Sequence, residues 1–233
     1  MTARFDAILF DVGGVLVVPD PVAIAAALST VGGSGSVHDA ITGHFYGTAA
    51  LEALVDELGL DSVESVDRRV YHEAVAGASG VVHTGNAARS LIAIWSPQLW
   101  SFPLFESVAA MSLLARRGVP MGVVSNADGQ VEAMLRNRGV CQVGPGSGVQ
   151  VRVVIDSHVV GVSKPNPAIF HAALPAFPGI DVSRIAYVGD TYHNDVVGAA
   201  AAGLTPLLYD PFRNRVHRNC ERLNSLHELL AWV

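Results

Sequence analysis

Apolar residues in this chain follow two kinds of pattern, and the order of the patterns predicts the architecture. Short, almost unbroken apolar runs end in turn-forming residues: AILF ahead of Asp11, MGVVS at 121–125, VRVVID at 151–156 and IAYVGD at 185–190. Strands buried on both faces of a parallel sheet read this way, whereas half-exposed strands alternate. A further short run, TPLLYD at 205–210, predicts another strand. Between the runs, ESVAAMSLLARRG, QVEAMLRNRG, PAIFHAAL and DVVGAAAAG have the spacing of helices. Two of these close on arginines followed by Gly118 or Gly139, the composition of a helix C-terminus. Strand and helix alternation over 105–233 therefore predicts an α/β fold built on a doubly wound parallel sheet.

Residues 20–103 have a different texture. VAIAAAL, ALEALVDELGL, SVESVDRRVYHEAVAG and NAARSLIAIW all read as helices, with no strand among them. The expected organisation is an α/β core of residues 1–19 and 104–233, with 20–103 inserted as a helical subdomain. A chain of 233 residues is long enough for both parts.

Composition narrows the classes. Half the residues are hydrophobic and 15% are charged, so a packed globular protein is expected and a disordered one is not. A net charge of −6 leaves no basic stripe to neutralise nucleic-acid phosphates. Cys141 and Cys220 lie far apart, without CxxC or Cys/His spacing, which argues against a zinc site or disulfide framework. They read as buried thiols in a reducing cytosol. The best membrane candidate, VVGAAAAGLTPLLY, is short and broken by Gly203 and Pro206. MTARFDAILFD carries acids inside its apolar run and is no signal peptide. A cytoplasmic protein with no membrane partner is expected; the sequence assigns no oligomeric state.

The chemistry gathers at the strand ends, where open parallel sheets collect their ligands. Asp11, Ser125 and Asp190 each stand where an apolar run stops, and Asn194 and Asp195 follow Asp190 at the start of the next helix. Three carboxylates in one pocket repel one another unless a hard cation such as Mg²⁺ sits among them. Ser125 and Asn126 can donate hydrogen bonds to an anionic oxygen, and Lys164 can neutralise it, with Pro165 and Pro167 stiffening its neighbourhood. Lys164 is the only lysine, against fourteen arginines. Arginine-biased coding would explain that; so would a site that demands a compact point charge.

DVGGVL at 11–16, VVSNAD at 123–128, SKPNPAIF at 163–170 and VGDTYHND at 188–195 together resemble the four ordered motifs of the haloacid dehalogenase-like hydrolases. The likeness spans nearly the whole chain, and residues 20–103 fall where one branch of that superfamily carries a helical cap. The resemblance implies that Asp11 attacks phosphorus or carbon to form a covalent aspartyl intermediate. It implies that Asp11, the backbone carbonyl of Gly13 and Asp190 hold Mg²⁺, with Asp195 either a ligand through water or a partner of Lys164. Ser125 and Lys164 would grip the transferring phosphoryl group of a small phosphorylated substrate. Closure of the cap would exclude water and choose that substrate.

One position departs from the pattern. Phosphatases of the superfamily usually carry a second aspartate two residues after the nucleophile, as general acid to the leaving group, and this chain has Gly13. A phosphohydrolase would then rely on a cap residue or water, or act on substrates that leave as weak bases. His44, His83 and His193 could each titrate near neutrality, against the ordinary roles of surface and capping histidines. Carbon–halogen and carbon–phosphorus hydrolases of the superfamily also lack the second aspartate. The former place an arginine early in the cap, yet no arginine lies between Arg4 and Arg68; the latter use a cap lysine, and this cap has none. A non-catalytic relative that only binds phosphate and Mg²⁺ is the third reading, and retention of Asp11, Lys164, Asp190 and Asp195 weighs against it.

The remaining conspicuous residues have plainer explanations. Trp95, Trp100 and Phe102 read as packing aromatics, with a substrate pocket as the alternative, and Tyr46 and His44 share that ambiguity. The basic run RNRVHR at 213–218 reads as a solvated loop before a final helix, SLHELLAW.

Overall fold

The computed structural model describes residues 3–215 and 219–233. Its strands, in chain order, are β1 (Ala7–Phe10), β2 (Val17–Pro19), β3 (Trp100–Pro103), β4 (Met121–Ser125), β5 (Cys141–Val143), β6 (Val149–Val151), β7 (Val154–Asp156), β8 (Ile185–Gly189), β9 (Thr205–Tyr209) and β10 (Arg222–Leu223). The chain divides into two compact units. One runs to Leu16 and continues through Pro103–Pro211 and Asn219–Val233; the other is Val17–Phe102 with the segment that begins at Phe212.

The first unit is the expected α/β fold. Six strands in the order β10-β9-β8-β1-β4-β7 pair in parallel throughout. β1, β4 and β8 are buried at every position, which is why their sequences are unbroken apolar runs rather than alternating ones. Helices Phe105–Arg116 and Val131–Asn137 end before Gly118 and Gly139, both in the left-handed region that stops a helix. Phe10 lies in register with Val123 on one side and Val188 on the other, so Asp11, Ser125 and Asp190 leave the sheet at one edge. Strand order reverses around β1, and a crevice at such a switch point is where α/β sheets hold ligands.

Several elements differ from the sequence expectation. VRVVID is two strands in two sheets: β6 pairs with β5, and β7 joins the main sheet. Arg152 separates them, because its exposed charge cannot sit in a strand buried on both faces; its guanidinium instead bonds the Ala176 carbonyl and covers the Phe177 ring. The segment after Asp190 starts as a π-helical turn, Tyr192–Val197, before the short α-helix Gly198–Ala201. SLHELLAW forms a 3₁₀ helix, Leu226–Ala231, started by a reciprocal cap between Ser225 and Glu228. Cys141 is buried as expected, and Cys220 is half-buried. Among the described residues no helix is long and apolar enough to cross a membrane.

The second unit packs helices Pro21–Ser29, Val37–Leu58, Arg69–Ala78 and Thr84–Ile94 around its own apolar core. It also contains strand, contrary to expectation: β2 and β3 form a two-stranded ribbon too short to carry a clear alternation. The Val37–Leu58 helix begins well before ALEALVDELGL, the stretch with the clearer helical pattern. Its first half holds Gly43 and Gly47, poor helix formers by propensity. A Cβ at Gly47 would stand 2.5 Å from the Tyr71 ring, and one at Gly43 would stand 3.1 Å from the Val75 carbonyl oxygen. Close packing on the Arg69–Ala78 helix is what requires them.

Trp95 and Trp100 are packing aromatics here. Trp95 meets Tyr71 and His72 edge to face, and Trp100 meets His44 in the same way. Tyr46 is exposed, Phe102 half-buried and His83 exposed. Arg215 corrects the solvated-loop reading: it is buried and ion-paired with the buried Glu52 at 3.4 Å. Residues 216–218 of that run lie outside the described residues.

His44 is not a group that titrates near neutrality. It is buried with Nδ1 2.8 Å from the Tyr71 hydroxyl, and burial, with Arg215 adding to it, pushes its pKa down to about 3. The unfolded chain takes up a proton near the ordinary 6.5 that the folded chain refuses until about 3. Stability therefore falls as pH drops through that window, by up to about 1.4 kcal/mol per pH unit. Urea unfolding at pH 6.5 and 5.5 should show this loss, and His44→Gln should flatten it by about that amount. An unchanged slope in the variant would mean that His44 is not held neutral.

Candidate active site

The crevice residues converge because three parallel strands end together. Asp11 follows β1 with its backbone N–H donating to Val188 O, and Ser125 is the last residue of β4, level with Asp156 on β7. Lys164 comes from the loop after the short helix Ser157–Val160 that follows β7. Its backbone is fixed through Asn126, whose amide oxygen accepts from Lys164 N at 2.7 Å and whose amide nitrogen donates to Lys164 O at 3.1 Å. The Asn126 side chain thus places the lysine's backbone. The loop behind it is held in turn by Asp156, which accepts from the N–H groups of Gly129 and Val131, and by Ser157, bonded to both backbone groups of Ala127.

Lys164 Nζ lies within hydrogen-bond distance of three oxygens: Asp195 Oδ1 at 2.7 Å, Asp11 Oδ1 at 2.8 Å and the Tyr187 hydroxyl at 3.0 Å. All four residues are buried. Burial pushes the Asp11 carboxyl up to about 6, with Lys164 pulling against that rise and Asp195 adding to it. Burial works against the lysine's charge too, but Asp11 and Asp195 outweigh it and hold the ammonium above its ordinary range. Asp11 is thus a buried carboxyl whose pKa is raised by burial, with the lysine's charge at its side favouring its ionised form.

Asp195 occupies its acceptor positions within the protein. Oδ1 takes Lys164 and Tyr187; Oδ2 takes the backbone N–H and the hydroxyl of Thr191. The π-helical turn brings it there, with Asp195 N and Val196 N sharing the Thr191 carbonyl. Of its two expected roles, the structure gives it that of the lysine's partner; a direct bond to a metal would displace one of four existing bonds. Asn194 is also buried on this turn, while His193 is half-buried with its ring against Tyr192.

The donor set fits a hard divalent cation. Asp11, Asp190 and Asp195 are buried, and each offers an oxygen within 4.8 Å of the others. Three carboxylates and one ammonium leave two negative charges when all are ionised, which a divalent ion would balance. The lysine's bonds and those of Asp195 leave Asp11 and Asp190 as the side chains best placed to hold it. Tyr187 and Thr191 are the residues sequence reasoning missed. The signal for Tyr187 was there: a tyrosine in an otherwise apolar, fully buried strand must find a partner for its hydroxyl.

A family model for haloacid dehalogenase-like hydrolases matches residues 5–203. The chain belongs to that family. Over 166 residues it is 32% identical to a phosphoserine phosphatase of Thermus thermophilus, a match covering 71% of this chain and 61% of that enzyme. The chain therefore aligns with about three-fifths of that relative's length. Two solved structures share the fold of this hydrolase. One is the magnesium-bound HAD hydrolase YfnB of Bacillus subtilis, with a TM-score of 0.60 at 15% identity over 98% of both chains. The other is a 2-haloacid dehalogenase of Pseudomonas syringae, with a TM-score of 0.53 at 22% identity over 97% of this chain and 98% of that one. At such identities they speak for the fold of this hydrolase and not for its substrate.

Proposed function

We propose that this hydrolase is a Mg²⁺-dependent phosphatase of a small phosphorylated metabolite, acting through an aspartyl-phosphate on Asp11. The observation that carries the reading is Lys164 Nζ fixed 2.8 Å from Asp11 inside a cluster of three buried carboxylates. A cation-ready carboxylate cluster serves a phosphoryl dianion, whereas displacement of a halide from carbon has no use for a metal. The similarity to a phosphoserine phosphatase points the same way.

In this reading an ionised Asp11 oxygen forms a bond to phosphorus while the bond from phosphorus to the leaving oxygen breaks. Water then attacks the aspartyl-phosphate, releasing phosphate and restoring Asp11. Lys164 balances charge on the phosphoryl oxygens, and Ser125 donates a hydrogen bond to one of them. Asp11 and Asp190, with the carbonyl of Gly13, would hold Mg²⁺, which when bound neutralises phosphoryl charge. Gly13 supplies no proton to the departing oxygen, so the favoured substrates are those that leave as weak bases.

Phosphate release from aryl, acyl, sugar and simple alkyl phosphates, with Mg²⁺ and with chelator, tests this. The expected result is chelator-sensitive turnover in which aryl and acyl phosphates outrun alkyl phosphates by on the order of 10²- to 10⁴-fold. Equal turnover of alkyl phosphates would reveal a replacement acid. No phosphate from any of them, with halide released from 2-haloacids, would overturn the proposal in favour of a dehalogenase.

A further inference from the structure

We propose that Tyr187 is a positioning residue for Lys164, its hydroxyl fixing the ammonium beside the attacking oxygen of Asp11. The inference rests on the reading above of Asp11 and Lys164 as the reacting pair. It starts from a count of protons and acceptors. The ammonium has three protons, and three oxygens surround it, from Asp11, Asp195 and Tyr187. Two of the three are carboxylates that pull Nζ along different lines. Asp195 is the more firmly anchored, since Thr191 binds its other oxygen twice. With the two carboxylates alone, the flexible four-carbon stem would leave Nζ free to swing on one side.

The tyrosine closes that freedom. Its ring is buried in β8, edge-on to Phe170 at 4.8 Å, so the hydroxyl cannot follow the lysine if it moves. The hydroxyl has one proton, with Asp195 Oδ1 at 3.0 Å and Val124 O at 3.2 Å to receive it. Its oxygen is thereby turned to accept from Lys164. The Val124 carbonyl belongs to β4, the strand that ends in Ser125. One phenol thus ties the lysine, the lysine's carboxylate partner and the strand that carries Ser125 into a single network, and no titration of the tyrosine is needed.

Tyr187→Phe keeps the packing ring and removes only the oxygen. Because Lys164 is the only lysine, isotope-labelled lysine gives the full chain a single ε-ammonium resonance. The variant should shift that resonance and speed its hydrogen exchange by about tenfold or more. It should lower kcat on the best phosphate ester by about 10- to 100-fold, with KM changed less than about twofold. Tyr209→Phe removes a buried phenol from the neighbouring strand β9 and serves as control; it should leave both readouts alone. In the unaltered protein, a nuclear Overhauser contact between the ammonium and Tyr187 protons is expected, and this holds the inference to account even where the variant folds poorly.

An unchanged ammonium signal in Tyr187→Phe, or no such contact in the parent, would overturn the inference. So would a moved signal with an unaltered kcat, which would make the hydroxyl a purely structural group. A parent protein that hydrolyses no phosphate ester would defeat the phosphatase reading instead, and the ammonium signal would still decide whether Tyr187 holds Lys164.

Discussion

Asp11→Asn should abolish turnover, by on the order of 10⁴-fold or more, and leave the protein folded. An amide oxygen cannot displace a leaving group, and the neighbouring Asp195 cannot take its place, with both oxygens committed to Lys164, Tyr187 and Thr191. The fold should survive because the substitution removes as much difficulty as it creates. Asp11 is a buried carboxylate crowded by Asp195, and burial has already pushed it up to about 6. A neutral amide relieves that crowding, while Lys164 keeps Asp195 and the Tyr187 hydroxyl. Steady-state assay beside urea unfolding separates the two effects. Full activity in the variant would sink the nucleophile assignment, and loss of the fold would sink the account of its electrostatics.

The second large effect is expected at Gly189→Ala. A Cβ there would lie 2.2 Å from Asp195 Cγ and 2.3 Å from its Cβ, distances no packed carbon tolerates. Gly189 ends β8, a strand paired with β1 as far as Val188 and with β9 through Gly189 itself, so the strand resists retreat and Asp195 has to leave. Its four hydrogen bonds go with it, and Lys164 loses its firmest anchor. The variant should lose about 3 kcal/mol or more, by overpacking and by stranding buried charge, together with most of its activity. Gly77→Ala is the control. It sits in the Arg69–Ala78 helix with its nearest neighbour 3.8 Å away, and should be neutral or stabilising by up to about 1 kcal/mol. Near-native behaviour of Gly189→Ala would show that Asp195 is not held against β8.

The parallel sheet was legible because burial on both faces leaves a mark in the sequence: AILF, MGVVS and IAYVG are apolar at nearly every position and buried at all of them. The strand-end rule then placed Asp11, Ser125 and Asp190 before any distance was known. Parts that depend on a single neighbour left no such mark. Arg152 splits VRVVID because of where its charge must go. Gly43 and Gly47 weaken the helical pattern of 37–58 while serving the packing of that helix on Tyr71 and Val75. The hold of Asn126 on the Lys164 backbone left no mark either, because an amide beside a strand end suits an anion and a backbone equally well. Arg215 counted as one more surface charge until Glu52 was found beside it.

The solitary lysine has a practical consequence for covalent chemistry. Among 233 residues there is one side-chain amine, and it is only 4% exposed. An acylating reagent therefore finds no lysine on the folded surface, and amine-directed cross-linkers or tags find no other side chain to attach to. Acylation at Lys164 is expected to be slow beside that of an exposed amine, since its ammonium is buried and held charged by Asp11 and Asp195. A reagent that other proteins take up at many side chains reports, for this one, on a single buried lysine.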